Sequence, residues 1–108
     1  MVPTISSWAD SSSLDPVPSY LVETFLARSD MHDRTARERR ARSVADELSW
    51  KGIRVRYERS IHVPEDELCF FVFEAPSGSD AALAAELARL DPFRIVEAIS
   101  TAAEGERE

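Results

Sequence analysis

The chain has 108 residues, 44% of them hydrophobic, and a net charge of -7, which suits one globular domain with its own core. The negative charge opposes nonspecific attraction to nucleic acid or to anionic membrane surfaces, and we expect neither partner. Because Cys69 is the only cysteine, an intrachain disulfide and a multi-cysteine zinc cluster within one chain are excluded. No secretory signal and no run of about 18 apolar residues occurs, so we expect a cytoplasmic protein.

The two ends of the chain differ in composition from its middle. Residues 1–18 are rich in Ser, Asp and Pro, which predicts an irregular N-terminal tail in which Trp8 is the one aromatic residue. The charged residues at 101–108 predict a frayed C-terminal tail. The sequence therefore predicts one folded domain at residues 19–100.

The first half of this domain predicts a strand, a helix and a second strand. An apolar, β-branched run at residues 19–26 is typical of a strand. A helix follows, beginning at Asp30 or Asp33 and ending before Gly52. Four of its apolar residues share the spacing of one helical face: Ala41, Val44, Ala45 and Leu48. Residues 53–63 alternate between apolar and polar, which predicts a half-buried second strand.

The second half predicts a hairpin, a helix and a last strand. The hairpin turn at residues 64–66 leads to residues 68–74, a nearly continuous apolar run typical of a central strand. Ser79 is expected to cap the second helix, whose apolar face consists of Leu83, Ala84, Leu87 and Leu90. Residues 94–99 form the last strand. This order predicts an α+β, ferredoxin-like βαββαβ fold, with a four-stranded antiparallel sheet and both helices on one face.

The other face of such a sheet is not covered by helices, and side chains alternate between the two faces along each strand. Glu23 is expected on the uncovered face with Leu21 and Phe25, because a carboxylate is costly to bury under helices. The polar residues expected there from the second strand are Arg56, Glu58, Ser60 and His62. The residues assigned to the same face from the third strand are Cys69, Phe71 and Phe73.

A face of this composition would be an exposed apolar patch on a monomer, so we expect something to cover it. The simplest way to cover this face is a second copy of the chain, which gives a homodimer packed sheet to sheet. The alternative is a small apolar ligand or a metal ion held at this face. The residues predicted to contact a ligand are Glu23, Ser60, Phe71 and Phe73.

A metal site is a sharper chemical hypothesis. Imidazole and thiolate suit nickel and copper, so Glu23, His62 and Cys69 are a candidate set of metal ligands. The plain alternative, which the spacing alone favours, is that His62 is a surface residue, that Glu23 pairs with an arginine and that Cys69 fills the core. No nucleophile motif or phosphate-binding glycine loop occurs, and no catalytic residue is assigned.

Several short stretches of the chain resemble one family. They are Tyr20-Leu21-Val22-Glu23, Val55-Arg56-Tyr57, Pro64-Glu65-Asp66-Glu67, Cys69-Phe70, Phe73-Glu74-Ala75-Pro76-Ser77 and Arg94-Ile95-Val96-Glu97. Between residues 19 and 99 the chain resembles the small nickel-binding ferredoxin-like family, long catalogued as a domain of unknown function. The resemblance implies a homodimer that binds nickel, with Glu23, Ser60 and Cys69 as residues to test. Members often carry a second cysteine where this chain has Phe71, which removes one soft ligand.

Two classes of function are therefore predicted, besides a dimer without a ligand. The first is a noncatalytic homodimer that binds nickel or another transition metal. The second is an enzyme of the dimeric α+β barrel kind, similar to monooxygenases or cyclases, that holds an apolar substrate at the uncovered sheet face. Glu23 or His62 would then transfer a proton. Nickel is the only cofactor expected.

Overall fold

The computed structural model describes residues 17–99, which contain four strands, two α-helices and two short 3-10 helices. The strands are β1 (Ser19–Phe25), β2 (Arg56–Val63), β3 (Leu68–Glu74) and β4 (Arg94–Ala98), and the helices are α1 (Arg34–Trp50) and α2 (Gly78–Leu87). The 3-10 helices are Arg28–Asp33, before α1, and Pro64–Asp66, between β2 and β3. The predicted tails lie outside the described residues, except for residues 17 and 18.

The strand order is β2-β3-β1-β4, and each pair of neighbouring strands is antiparallel. Both helices pack on the same face of the sheet, where buried side chains from α1, α2, β1 and β3 form one hydrophobic core. This α+β architecture is compatible with the predicted ferredoxin-like fold. No helix among residues 17–99 combines the length and the apolar character that crossing a membrane requires.

Helix α1 ends where the sequence predicts. Gly52 has a φ of +94°, a region that glycine adopts without steric cost, and its amide donates to the carbonyl of Ser49. At the other end Asp33 is the N-cap residue, but its carboxylate accepts a hydrogen bond from Arg37 Nε at 3.0 Å rather than from the backbone. The predicted inner face is confirmed by three fully or nearly fully buried residues, Ala41, Ala45 and Leu48.

Helix α2 differs from the prediction in its cap and in its inner face. The cap is Ser77 rather than Ser79, because the Ser77 hydroxyl accepts a hydrogen bond from the Asp80 amide at 3.2 Å. Leu87, predicted to face the core, is 52% exposed. The other predicted residues are confirmed, since Ala84 and Leu90 are buried and Leu83 packs against the core. The further residues that pack there are Ala81, Ala85 and Ala88. Alanine and leucine recur here with the same helical period, so periodicity alone did not separate the two faces.

A β-bulge in β2 reverses the predicted orientation of its second half. The register of β2 against β3 shifts by one residue between Tyr57 and Arg59. Because side chains alternate, this shift places Ser60 and His62 on the helix-covered face and Ile61 on the other. The prediction that Ser60 and His62 lie on the uncovered face is therefore wrong.

The predicted orientation of β3 is also wrong. Cys69, Phe71 and Phe73 are 0% exposed and pack against the helices. In β1 the residue opposite Phe71 is Val22, which is equally buried. The physical reason is volume, since the inner faces of both helices are rich in alanine and leave space that two phenyl rings fill. Phe71 and Phe73 are therefore core residues and do not contact a ligand on the uncovered face.

The face of the sheet that neither described helix covers is called the open face below. Glu23, Leu21 and Phe25 lie on it as predicted, since they stand opposite Phe70, Val72 and Leu68 of β3. Cross-strand pairing gives it eight apolar residues larger than alanine: Leu21, Phe25, Ile61, Val63, Leu68, Phe70, Val72 and Val96. The open face is thus apolar in composition although it lies opposite the core.

Candidate functional site

The three predicted metal ligands lie on two different faces of the sheet. His62 of β2 stands directly opposite Cys69 of β3 on the helix-covered face, whereas Glu23 lies on the open face. The backbone of the sheet therefore separates Glu23 from the other two side chains. Among residues 17–99, no group of three or more His, Cys, Asp or Glu side chains is placed to hold a metal ion. The residues present do not fit the predicted three-ligand site.

A polar cluster lies between α1 and the sheet, and Ser60 belongs to it. The Ser60 hydroxyl donates a hydrogen bond to the carboxylate of Glu38, which also accepts one from Arg34 at 3.1 Å. Arg37 donates to the carbonyl of Phe25 at 3.0 Å. These bonds join the first turns of α1 to β1 and β2. The hydroxyl of Ser60 thus contributes to packing α1 on the sheet and does not face a ligand on the open face.

Cys69 and His62 are the remaining chemical groups of this region. Burial raises the pKa of the Cys69 thiol, an effect that the nearby Arg37 and Arg34 only partly offset. The thiol is therefore protonated at neutral pH and is a weak nucleophile. His62 Nε2 is buried and has no hydrogen-bond partner among the described residues. A buried polar nitrogen without a hydrogen bond is unusual, and the packing of the helices does not explain it.

An ion pair between Glu23 and Arg94 lies on the open face. Arg94 Nε donates to Glu23 Oε2 at 2.9 Å, and the two residues stand directly opposite each other on β1 and β4. The Glu23 side chain is only 10% exposed, whereas that of Arg94 is 62% exposed. A carboxylate so little exposed needs a cationic partner. The expectation that Glu23 pairs with an arginine is confirmed.

Two exposed phenylalanine rings adjoin this ion pair. Phe25 and Phe93 stack with ring centroids 4.4 Å apart and planes inclined by 28°. They are 65% and 48% exposed, although aromatic side chains gain most from burial. The amide of Phe93 donates to the carbonyl of Glu23 at 2.9 Å, which fixes the backbone of Phe93 next to the ion pair. The stack therefore forms an apolar platform at the β1–β4 end of the open face.

Charged side chains border the open face at its β2–β3 end. A hydrogen bond to Glu58 raises the pKa of Glu74, burial and repulsion from Glu58 raise it further, and Arg56 at 3.7 Å acts in the opposite direction. Glu58 also lies 3.7 Å from Arg59. An apolar centre with a charged border is the composition found in many protein interfaces.

Arg94 and Phe93 are candidate site residues that no sequence pattern indicates. Phe93 lies in the connection before β4, and Arg94 is the first residue of that strand, so neither belonged to an apolar pattern. The available signal was Glu23 itself, because a carboxylate among apolar strand residues implies a cationic neighbour on the next strand. The strand order β1-β4 then restricts the choice to residues near the start of β4.

No protein-family model, curated protein or solved structure matches this chain. The resemblance to the nickel-binding family therefore stays a prediction based on short stretches of sequence. Two regions remain as candidates for function. They are the His62–Cys69 pair under α1 and the open face with its ion pair and aromatic platform.

Proposed function

We propose that this protein is a small noncatalytic binding protein that forms a homodimer through its open face and holds a small, largely apolar ligand there. One observation carries the proposal: eight apolar residues, one of which is Phe25 stacked on the exposed Phe93, occupy a sheet face that neither described helix covers. Burying apolar surface stabilises by about 25 cal/mol for each Å². A cover on this face is thus favourable.

The dimensions of the open face suit a second copy of the chain. Four strands spaced about 4.8 Å apart and five to eight residues long, at about 3.3 Å per residue, extend over roughly 20 Å across and roughly 16 to 26 Å along the strands. Each partner buries roughly 800 Å² in a standard interface, and the exposed side chains of this face, among them Phe25 and Ile61, would contribute to it. A two-fold axis through the face would pack it against itself.

The polar groups of the open face favour a ligand within this interface. Small-molecule sites are mostly apolar, with a few fixed polar groups that orient the ligand. Glu23 and Arg94 provide such groups in the midst of an apolar surface. Of the two residues predicted to transfer a proton, His62 faces the helices and the Glu23 carboxylate is engaged by Arg94. We therefore propose binding in place of the enzyme alternative.

The ligand part of the proposal is tested with N-phenyl-1-naphthylamine, a neutral probe whose fluorescence rises in apolar sites. We expect saturable binding to the wild type and a loss of affinity of about 10-fold or more in Phe25→Ala. Phe25 is 65% exposed, so its removal leaves the core intact. The matched control is Leu87→Ala on α2, 52% exposed and on the other side of the sheet, which should bind as the wild type does. A wild type that does not bind the probe contradicts the proposal.

A second candidate function is the transition-metal binding that the resemblance implies. The observation in its favour is that His62 Nε2, an imidazole donor without a partner among the described residues, lies across from Cys69. Calorimetric titration of tag-free protein with Ni(II) tests it. This hypothesis expects stoichiometric binding that is lost in His62→Ala and retained in His32→Ala, since His32 is exposed on the first 3-10 helix. No heat and no change in melting temperature would rule it out.

A further inference from the structure

We propose that the ligand of the open face is a small aromatic carboxylate, whose carboxylate binds Arg94 and whose ring packs on the Phe25–Phe93 platform. This inference rests on the proposed function and specifies the chemical class of its ligand. It is carried by three features that meet at Glu23: a partly engaged guanidinium, a carboxylate that holds it, and two exposed rings.

Arg94 has hydrogen-bonding capacity left after it binds Glu23. A guanidinium carries five N–H donors in one plane, and only Nε is used in the bond to Glu23 Oε2. The two terminal nitrogens have no acceptor among the described residues, and the side chain is 62% exposed. They present a planar fork that matches the two oxygens of a carboxylate. A ligand carboxylate can therefore bind while the Glu23 bond stays in place.

Glu23 acts as a positioning residue for Arg94. Its side chain is 10% exposed and comes from the central strand β1, directly opposite Arg94. Holding Nε in one orientation removes freedom from a long side chain before the ligand arrives, so less entropy is lost on binding. A carboxylate is costly to place among apolar residues, and holding Arg94 in position explains why Glu23 is found there.

The aromatic platform is placed to contact the ring of the same ligand. Phe25 follows Glu23 by two residues on β1 and so shares its face, and Phe93 directly precedes Arg94. The amide of Phe93 donates to the carbonyl of Glu23. Both phenylalanines and Arg94 are therefore backbone neighbours of Glu23, Phe25 along β1 and the other two on the β4 side. A flat aromatic ligand can pack on the stacked rings while its carboxylate reaches Arg94.

The test uses two probes that share a ring system and differ in charge, 2-naphthoate and 2-naphthamide, in fluorescence titrations of the full chain. We expect the wild type to bind the carboxylate about 10-fold or more tightly than the amide. Arg94→Gln should remove this preference and leave the affinity for 2-naphthamide within about 2-fold. Arg94→Lys, which keeps the charge and loses the fork, should retain only part of the preference.

Two further variants control for changes in net charge and for the unpaired Glu23 carboxylate. Arg39→Gln makes the same change of charge at an exposed position of α1, on the other side of the sheet, and should retain the full preference. Any long-range repulsion of anions by the net charge of -7 is thereby matched between the variants. Arg94→Gln leaves Glu23 without its cation, so the double variant Glu23→Gln/Arg94→Gln repeats the measurement with an uncharged pair.

The outcomes separate this inference from the proposed function. Equal affinity of the wild type for both probes, or a preference that survives in Arg94→Gln and in the double variant, overturns the inference and leaves the binding role intact. If neither naphthalene probe nor N-phenyl-1-naphthylamine binds the wild type, the proposed function and the inference fail together. A preference lost in Arg94→Gln and retained in Arg39→Gln supports the inference.

Discussion

The two faces of the sheet come from the same four strands but differ in what their side chains do. On the helix-covered face, Phe71 and Phe73 are fully buried, and the polar residues around Glu38 bond α1 to the strands. On the open face, Phe25 is 65% exposed and the ion pair of Glu23 adjoins exposed aromatic rings. Neighbouring residues of one strand thus divide between packing in the core and lying on a partly exposed surface.

The largest difference in the free energy of unfolding is expected between Phe71→Ala and Phe70→Ala, which make the same substitution on opposite faces of the sheet. Loss of the fully buried Phe71 ring should lower the free energy of unfolding by about 3–5 kcal/mol. Loss of the half-buried Phe70 should cost less than half as much in urea denaturation of the monomer at low protein concentration. Similar losses in the two variants would contradict the division between the faces.

A smaller effect is expected in the polar cluster under α1. Glu38→Ala removes the acceptor of both Ser60 and Arg34, so we expect a loss of about 1–3 kcal/mol in the free energy of unfolding. The control on the same helix is Glu47→Ala, which breaks an exposed ion pair with Lys51 and should cost less than about 0.5 kcal/mol. Equal effects in urea denaturation would show that the cluster does not stabilise the packing of α1.

The rate at which the Cys69 thiol reacts measures the burial of the helix-covered face, and it needs no substitution. Its thiol is 0% exposed and burial raises its pKa, so a colourless aromatic disulfide reagent should label it slowly in the native protein and fully in urea. Rapid labelling at neutral pH, measured from the absorbance of the released thiolate, would mean that the covered face opens readily or that the thiol is exposed.

The smallest expected effect concerns Glu74 at the border of the open face. Its pKa is raised in the folded protein, first by the hydrogen bond to Glu58, so the folded state retains its proton to a higher pH than the unfolded state does. Stability from this group is present below the ordinary carboxyl pKa and is lost as pH rises through the raised value. Melting temperatures should therefore fall less in Glu74→Gln than in the wild type across this range. An identical pH profile in both proteins would contradict the assignment.

The order of the elements followed from the sequence because each has a local signal. Gly52 ends α1, and the continuous apolar run of β3 is typical of a central strand. It is harder to predict which residues lie on which face of the sheet. A bulge between Tyr57 and Arg59 has no local sequence signal, yet it reverses the orientation of the residues that follow it in β2. For β3, where apolar residues lie on both sides, alternation gives two sets and cannot say which one meets the helices.

Part of the candidate site was also predictable. The cost of burying a carboxylate predicts that Glu23 lies on the open face and favours its pairing with an arginine. That the partner is Arg94 depends on strand order and register, which are long-range features. The separation of Glu23 from His62 and Cys69 depends on the same features, and spacing along the chain could not reveal it.

The open face is proposed to be the interaction surface, and the helix-covered face is the core. Sedimentation equilibrium of the wild type, Leu21→Glu and Leu87→Glu tests it most directly, because the two variants make the same substitution on opposite sides of the sheet. We predict a dimer for the wild type and for Leu87→Glu, and a folded monomer for Leu21→Glu. A wild type that is monomeric at every concentration, or a dimer that persists in Leu21→Glu, would contradict the account.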